Sequence, residues 1–288
     1  MSRSFLFVPA DTARKLDKAA SSGADALILD LEDSVTASAK KEARALAADF
    51  INKRPGIETW VRINRLDCED ALDDLKAVMR AGPHGIVLPK PASAADSKLL
   101  SKILLVHEEE NGLQKGRTAI LPIATEQPGA LFMMAGYADT TRRLGGLTWG
   151  AEDLSVALGA TTNRGEDGEW LPPYQLARTL CLLAAAAAGV PAIDTVYTDY
   201  KDDKGLAKYA AAARRDGFEG MLAIHPGQVA IINDAFVPTS DETERAQRIV
   251  ELFAENPDAG TLGMDGEMID RPHWLQAKRI LETANRLK

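Results

Sequence analysis

Residues 26–33 read ALILDLED, an apolar run of strand length that ends among three acids, Asp30, Glu32 and Asp33. A short apolar run that is bounded by polar sequence is typical of a strand buried in a parallel sheet. Carboxylates at the tip of such a strand repel one another and lose hydration, so we expect a cation to compensate them. The stretch therefore predicts a buried strand that carries a charged site at its carboxyl end.

The chain contains eight runs of this kind, each followed by a stretch with apolar residues at helical spacing. They are FLFV (5–8), ALILD (26–30), TWVRIN (59–64), GIVLP (85–89), AILPIA (119–124), GLTWG (146–150), PAIDTV (191–196) and GMLAIH (220–225). Eight such units predict an α/β fold, a (β/α)8 TIM barrel, rather than an open doubly wound sheet. No strand is followed by G-x-G-x-x-G, and no P-loop motif occurs, so a nucleotide-binding fold loses its main support.

We place the barrel in residues 1–235 and a C-terminal helical extension in residues 236–288. Within the extension, the segment 237–258 predicts a helix with an acidic first turn. The segment 260–288 predicts a turn-rich link into a last helix. Because the extension follows the eighth strand, it is available to cover a site or to reach a neighbouring subunit.

Composition narrows the class of protein. The formal net charge of −8 argues against nucleic acid as a partner, which would require a broad basic surface. Cys68 and Cys181 form neither a disulfide framework nor a metal-ligand spacing. The first residues lack the apolar core of a signal peptide, and the longest apolar block is interrupted by Gly189 and Pro191. We expect a cytoplasmic protein with no membrane partner.

Polar side chains gather where the predicted strands end, and in this fold those ends share one face. They are Asp30, Glu32, Asp33, Arg62, Asn64, Arg65, Lys90, Glu126, Glu152, Asp153, Asp194, Asp199 and His225. A rim of many acids and few bases suits Mg²⁺, which takes one or two carboxylates together with waters and substrate oxygens. The alternative is that these acids only cap helices in the loops.

Nine segments resemble, in the same order, the citrate lyase β-subunit-like proteins of the HpcH/HpaI aldolase superfamily, a group that includes the malyl-CoA, β-methylmalyl-CoA and citramalyl-CoA lyases. They are FLFVPADTARKLDKA (5–19), ILDLEDSV (28–35), WVRINR (60–65), VLPKP (87–91), IATEQPGAL (123–131), WGAEDLSVALGA (149–160), AIDTVYTD (192–199), AIHPGQV (223–229) and MDGEMIDRP (264–272). The resemblance covers nearly the whole chain and is specific because the motifs occur together.

The resemblance implies that Glu126 and Asp153 ligate Mg²⁺ directly, with Glu32 and Asp33 as outer acids that orient the first ligands. The family usually has Glu-Thr-Ala where this chain has Glu-Gln-Pro, so Pro128 changes the backbone beside Glu126. For Asp33 the alternative is a cap on the following helix.

Substrate contacts are also carried over from the resemblance. Arg62 matches the arginine that grips the carboxylate of the oxo or hydroxy acid, for which its planar fork is suited. The alternative is a structural salt bridge between Arg62 and Glu32. Glu126 and Lys90 are further candidates for contact with the substrate. Lys90 does not suit a Schiff base, because neighbouring carboxylates should raise its pKa.

Coenzyme A contacts are expected from the first helix and the eighth strand. Arg14 and Lys18 match positions that contact the CoA phosphates, and their spacing of four residues puts them on one helix face. Phe7 is expected to line the same groove, and Ile224 and His225 match a segment that contacts substrate. Arg14 and Lys18 could also be ordinary surface charges, and His225 a turn histidine with its hydrogen bonds satisfied.

Together these features predict reversible, Mg²⁺-dependent cleavage of a 3-hydroxyacyl-CoA to acetyl- or propionyl-CoA and a 2-oxo acid. Arg62 would act at the reacting hydroxyl, whose proton would go to a metal-bound hydroxide or to an acid at the tip of the second strand, with Glu32 as the candidate. The resemblance implies that Asp270 handles the proton at the acyl-CoA carbon, usually in a neighbouring subunit; the alternative is that Asp270 only caps the final helix beside Pro272. The family suggests a homotrimer or a hexamer. Three alternatives stay open: a metal aldolase for free hydroxy-oxo acids, the β subunit of a carrier-protein citrate lyase, and a silent scaffold. The sequence does not identify the oxo acid.

Overall fold

Eight parallel strands form the sheet of the first of two units, Met1–Asn233, in a computed structural model that describes residues 2–53 and 56–286. The strands are β1 (Ser4–Pro9), β2 (Ala26–Asp30), β3 (Glu58–Arg62), β4 (Gly85–Leu88), β5 (Ala119–Pro122), β6 (Leu147–Thr148), β7 (Ala192–Asp194) and β8 (Gly220–Ala223). Their order is β5-β4-β3-β2-β1-β8-β7-β6. Parallel bridges from Ile120 to Leu144 and from Ile123 to Thr148 bring the two ends of the sheet together. The predicted (β/α)8 barrel is confirmed.

Strand register positions the charged residues. All five residues of β2 are buried, as expected for a barrel strand that is covered on both faces. In the parallel ladder Asp30 pairs with Arg62 on one side and with Pro9 on the other. The acidic tip of β2 therefore lies between the ends of β1 and β3.

The inside of the barrel is apolar. Its cluster of buried side chains includes Phe5, Ile28, Trp60, Leu121 and Leu222, and the less buried Phe7 and Val196 pack against it. Side chains fill such a barrel in layers, so the space for a ligand lies above the last layer, at the carboxyl ends of the strands.

Helices follow the strands of the barrel. They are α1 (Ala13–Ala20), α2 (Lys40–Lys53), α3 (Glu69–Val78), α4 (Ala94–Glu110), α5 (Pro128–Leu131), α6 (Ala151–Leu158), α7 (Pro172–Ala188), α8 (Asp203–Asp216) and α9 (Val229–Ala235). Ser93 and Asp202 cap the starts of α4 and α8, while Gly189 and Gly217 end α7 and α8 in the left-handed conformation. None of the helices in the described part of the chain has the length and hydropathy needed to cross a bilayer.

The second unit, Asp234–Lys288, consists of two helices and a small antiparallel ribbon. Its elements are α10 (Ser240–Glu255), β9 (Thr261–Met264), β10 (Glu267–Asp270) and α11 (Arg271–Arg286). Both predicted helices are confirmed, with Thr239 capping the acidic first turn of α10. The predicted turn-rich link is wrong in one respect, because β9 and β10 pair as a hairpin. Its turn residues Asp265 and Gly266 both have positive φ, as a tight two-residue turn requires.

Candidate active site

A cavity of about 330 Å³ lies at the carboxyl ends of the barrel strands. It is lined by Phe7, Pro9, Asp30, Ser34, Arg62, Ile123, Glu126, Trp149, Gly150, Ala151, Glu152, Asp153, Thr195, Val196, Leu222 and Ile224. Five of the predicted site residues therefore meet in one place, namely Phe7, Arg62, Glu126, Asp153 and Ile224. The cavity has an apolar side, formed by the top layer of the barrel, and a charged side, formed by the strand tips.

Arg62 is held by two acids of the β2 tip. Its Nε and Nη2 donate to the two oxygens of Asp30 at 2.7 Å each, and its Nη1 lies 3.1 Å from Glu32 Oε2. The guanidinium also lies over the ring of Phe7, 4.8 Å from its centroid. The predicted alternative, an ion pair between Arg62 and Glu32, is thus present, but Asp30 is the stronger partner and was not predicted in that role.

The charges of this pair are fixed by mutual contact. Burial by itself lowers the pKa of Arg62, but hydrogen bonds and charge interaction with Asp30 outweigh it and raise that pKa above its ordinary value. For Asp30 the directions are reversed. Burial by itself raises the pKa of Asp30, but the hydrogen bonds and positive charge of Arg62 outweigh burial, so the pKa of Asp30 is lowered. Asp30 also accepts from the backbone N–H groups of Glu32 and Ser34, which folds the chain back after the strand.

Lys90 compensates the remaining acids. Its Nζ donates to Glu32 Oε1 at 2.6 Å and to Asp33 Oδ2 at 2.8 Å, and it lies 3.3 Å from Asp153 Oδ1. Burial by itself lowers the pKa of Lys90, but Asp33 and Glu32 outweigh it, so this pKa is raised. A lysine that stays protonated is a poor Schiff-base nucleophile, as predicted. The acids of the opening stretch are therefore compensated within the chain by Arg62 and Lys90.

Glu126 and Asp153 form a second acidic pair on the charged side of the cavity. Only 4% of Glu126 is exposed, and its Oε2 accepts the backbone N–H of Lys90 at 2.5 Å. Burial and, next, the negative charge of Asp153 raise the pKa of Glu126 well above its ordinary value. A Cβ atom on Gly150 would lie 2.7 Å from Glu126 Cγ, so glycine is needed for this close approach. Two carboxylates held together at such a cost favour a bound cation.

The residues present fit a magnesium ion. Within residues 2–53 and 56–286, no three His, Cys, Asp or Glu side chains converge as a ready-made metal cluster. Glu126 and Asp153 both line the open cavity, where their carboxylates would offer two oxygen ligands. Magnesium is usually bound in this way, with waters and substrate oxygens completing its shell.

Other predicted residues lie around the cavity or away from it. Glu32 and Lys90 do not line it, but Glu32 contacts Arg62 and Lys90 contacts Asp153, which do. Asp33 contacts Lys90 only through its side chain and lies one step further from the cavity. His225 does not line it either, since its Nδ1 accepts the backbone N–H of Gly227 at 3.1 Å and its ring lies against Tyr200. This hydrogen bond is the one expected of a turn histidine, and contact of His225 with substrate stays a prediction.

The remaining candidates lie on α1 and in the second unit. Arg14 and Lys18 are exposed on α1, which begins shortly after the cavity-lining Pro9. Asp270 ends β10, and its Oδ1 lies 2.5 Å from Nδ1 of His273 in the first turn of α11. The carboxylate of Asp270 therefore already contacts the start of the last helix.

Trp149 and Asp194 are among the residues that sequence reasoning missed or misplaced. Trp149 forms part of the cavity wall, and its indole N–H donates to Asp194 at 2.6 Å. Asp194, predicted at the rim, is fully buried below it and also accepts from Arg178 and Tyr209. The tryptophan in the GLTWG run was a usable sequence signal for a cavity wall. The burial of Asp194 had no such signal, because it depends on partners such as Arg178 that are distant in sequence.

Comparison with known proteins agrees with this geometry. Residues 3–226 match the family model described as HpcH/HpaI aldolase/citrate lyase. Citrate lyase subunit beta of Haemophilus influenzae is 37% identical over 286 residues, covering 98% of this chain and 96% of that one. Mitochondrial citramalyl-CoA lyase of Mus musculus is 29% identical, covering 99% and 87%.

A solved structure extends the similarity to the three-dimensional level. The protein CitE of Mycobacterium tuberculosis, in complex with magnesium, acetoacetate and coenzyme A, superposes with a TM-score of 0.81 at 32% sequence identity. The alignment covers 99% of this chain and 98% of that one. The family expected from the motifs is confirmed, and the chain belongs to the HpcH/HpaI aldolase/citrate lyase family.

Proposed function

We propose that the protein is a Mg²⁺-dependent carbon–carbon lyase that cleaves a 3-hydroxyacyl-CoA to acetyl- or propionyl-CoA and a 2-oxo acid. The observation that carries this proposal is one cavity in which a carboxylate-binding arginine faces two acids suited to Mg²⁺. A relative named citrate lyase subunit beta, a relative named citramalyl-CoA lyase, and a neighbour solved with magnesium, acetoacetate and coenzyme A support it.

Glu126 and Asp153 would hold the metal, which when bound supplies the Lewis acidity that favours loss of the hydroxyl proton. The free edge of the Arg62 guanidinium would bind the carboxylate of the substrate and the oxygen that becomes a carbonyl. Asp30 holds this guanidinium in a fixed plane before substrate arrives. Such preorganisation lowers the barrier without reorganisation during the reaction.

Two proton transfers accompany cleavage. The hydroxyl loses its proton to a base, for which Glu32 is our candidate, because burial raises its pKa and so makes it a better proton acceptor. Since Glu32 contacts Arg62 but does not line the cavity, the proton would reach it through a water molecule. The electrons of the broken C–C bond form the enolate of the CoA thioester. This enolate then takes one proton, which we assign to Asp270. In the condensing direction Asp270 removes that proton.

The assignment of Asp270 can be tested by mixing subunits. If Asp270 acts in the site of a neighbouring subunit, Asp270→Ala and Asp153→Ala proteins, each inactive alone, should regain activity when they are unfolded together and refolded as mixed oligomers. Recovery of roughly a quarter of the wild-type rate is expected for random mixing in a trimer, an estimate that rests on closed rings of identical contacts. Activity that never rises above the parent variants would contradict action in a neighbour.

Arg14 and Lys18 would contact the CoA phosphates from α1, next to the strand that supplies Phe7 and Pro9. Two cations one helical turn apart suit a phosphate pair better than a single carboxylate. Phosphate contacts remote from the reacting carbons raise binding of the whole ester, so their loss should raise KM more than it lowers kcat.

The test of the function is a cleavage assay followed by mass spectrometry. Purified protein would receive malyl-, β-methylmalyl-, citramalyl- and citryl-CoA, with Mg²⁺ or with EDTA, beside Asp153→Ala. We expect magnesium-dependent release of acetyl- or propionyl-CoA from at least one ester, and its loss in the variant. No release from any ester, from a protein that binds Mg²⁺, would overturn the proposal.

A second candidate is the β subunit of a citrate lyase that uses an acyl-carrier protein. The 37% identity to a protein of that name is the observation that favours it. Citryl groups presented on a carrier protein would then be cleaved, while the same group on free CoA would be a poor substrate. Running both forms in the same assay separates the two candidates.

A further inference from the structure

The segment that follows strand β2 is held through its backbone carbonyl groups. Lys40, the first residue of α2, donates from Nζ to the carbonyl oxygen of Leu31 at 2.8 Å and to that of Glu32 at 3.2 Å. The same Nζ donates to Oδ1 of Asn64 at 2.7 Å. An ammonium group has three N–H donors, so these three oxygens match its full capacity. Lys40 therefore holds the piece of backbone from which the side chain of Glu32 projects.

Asn64 connects this contact to a buried polar network between α2 and α3. Its Nδ2 donates to the carbonyl oxygen of Leu31 at 3.0 Å and to Asp74 Oδ2 at 2.7 Å. Asp74 is fully buried and accepts from Nε of Arg44 at 2.6 Å. Connected hydrogen bonds of this kind fix the positions of their members. The acceptor that Asn64 offers to Lys40 is thus itself fixed by two helices outside the barrel.

The carboxylate of Glu32 has few contacts of its own. Its Oε1 accepts one hydrogen bond, from Nζ of Lys90 at 2.6 Å. Its Oε2 lies 3.1 Å from Nη1 of Arg62, but it is buried and accepts no hydrogen bond from the described residues. Arg62, by contrast, is gripped by both oxygens of Asp30. The position of Glu32 therefore depends on its backbone, whereas that of Arg62 does not.

From this we propose that Lys40 is a positioning residue of the active site, which holds the tip of β2 so that Glu32 stays against Arg62 and Lys90. Lys40 does not line the cavity and acts only through Glu32. The inference rests on the proposed function, in which Glu32 is the base for the hydroxyl proton, and it extends that function to a residue of α2.

The first test is steady-state kinetics with the CoA ester that the wild type cleaves best. Lys40→Met keeps the length of the side chain but removes its donors, and it should lower kcat at least about tenfold while KM changes less than about threefold. KM should change little because the arginine proposed to bind the substrate carboxylate is held independently by Asp30. Lys41→Met, which removes the same charge from the exposed neighbour on α2, is the control and should behave as the wild type.

Lys40→Arg provides a second variant in case Lys40→Met does not fold. It keeps the positive charge, but a planar fork cannot donate to three oxygens gathered around one point, so kcat should still fall, by a smaller factor. Wild-type kcat in either folded variant, or a rise in KM without a loss of kcat, would overturn the inference.

A double-mutant cycle with Glu32→Gln separates positioning from a general loss of structure. If Lys40 acts through Glu32, Lys40→Met should lower kcat less than about twofold once Glu32 is already glutamine. A purely structural role would lower kcat by the same factor in both backgrounds, and that result would contradict the inference. The residual activity of Glu32→Gln is measured first, because the cycle requires it.

Crystal structures of wild type and Lys40→Met test the inference without turnover. The carboxylate of Glu32 should move at least about 1 Å from its place beside Arg62, a displacement large enough to impair catalysis. If no ester is cleaved by the wild type, the proposed function fails, and this displacement alone shows whether Lys40 positions Glu32. An unmoved Glu32 in the variant would overturn the inference, whatever the kinetics.

Discussion

The guanidinium of Arg62 combines an observed contact with Asp30 and a proposed contact with substrate, and substitutions can separate the two. It compensates the buried carboxylate of Asp30, and its free edge is available to a substrate. Arg62→Met leaves Asp30 uncompensated and should destabilise the protein by about 3–5 kcal/mol. Arg62→Lys keeps the charge but loses the fork, so it should fold and lose about ten- to a hundredfold in kcat/KM.

Urea unfolding and steady-state kinetics on both variants measure the two effects. A matched control is Arg65→Lys, because Arg65 pairs with Asp67 on the surface and does not line the cavity. Equal activity in Arg62→Lys and Arg65→Lys would show that the fork of Arg62 contacts no reacting group.

The acidic pair predicts a magnesium-dependent gain in stability. Because Glu126 and Asp153 repel each other, a cation that binds between them stabilises the folded protein only. At free Mg²⁺ one hundred times its Kd, the gain is about 2.7 kcal/mol. Thermal unfolding should show a clear rise in Tm with Mg²⁺ for the wild type and none for Asp153→Asn. Asp33→Asn is the control and should keep most of the rise in Tm. If the rise is lost equally in both variants, the metal binds elsewhere.

Gly85 in strand β4 leaves room for the ring of Trp60 because it has no side chain. A Cβ atom on Gly85 would lie 2.3 Å from the ring of Trp60, inside the barrel. Gly85→Ala should therefore destabilise the protein by about 1–3 kcal/mol through overpacking. Gly129→Ala is the matched control, because a Cβ there meets nothing within 4 Å in helix α5. Thermal unfolding followed by circular dichroism compares the Tm values of the two variants. Equal Tm values would show that the barrel accommodates the added Cβ beside Trp60 without loss of stability.

The strands were predictable from sequence because each is a short apolar run that ends in polar residues. β2 is the clearest case, since burial on both faces removes polar residues from all but its tip. The hairpin β9–β10 was missed, although Asp265-Gly266 between short strands is the sequence signal for such a turn. The exposed Met268 interrupts the alternation of polar and apolar residues that a half-buried strand should show. The two strands were therefore not distinguishable from turn residues by pattern.

The site was predictable in its members but not in its pairings. Because carboxyl ends of barrel strands share one face, Arg62, Glu126 and Asp153 were expected together and do line one cavity. That Arg62 binds chiefly Asp30 depends on the register of β2 against β3, which no local pattern encodes. The backbone bond from Lys90 to Glu126 depends on a left-handed lysine, with φ of 47°, that sequence does not announce.

The stability of the protein in acid should depend on a buried ion pair, Glu108 with Arg143, that does not line the cavity. Glu108 is fully buried and accepts two short hydrogen bonds from Arg143. Burial by itself raises the pKa of Glu108, but Arg143 and the backbone of Thr118 and Gly116 outweigh it and lower that pKa from 4.5 to about 2. The resulting stability, about 3 kcal/mol, is present above pH 4.5 and is lost as the pH falls towards 2.

Urea unfolding between pH 7 and pH 3 measures this contribution. The free energy of unfolding of wild type should fall more steeply below pH 4.5 than that of Glu108→Gln, which has no carboxylate to protonate there. Glu109→Gln, at an exposed neighbour that pairs with Lys115, is the control and should follow the wild type. If the free energy of unfolding falls equally with pH in wild type and Glu108→Gln, the pair does not contribute to acid unfolding.

The central claim is that turnover requires a cation held by Glu126 and Asp153. The most direct measurement is the rate of acetyl- or propionyl-CoA release from the ester that is cleaved best, as a function of free Mg²⁺, beside the Mg²⁺ binding isotherm in the same buffer. We predict that the release rate and the Mg²⁺ occupancy rise with the same midpoint in free Mg²⁺, and that Asp153→Asn loses both. Release of acetyl-CoA in EDTA, or undiminished release by Asp153→Asn, would contradict it.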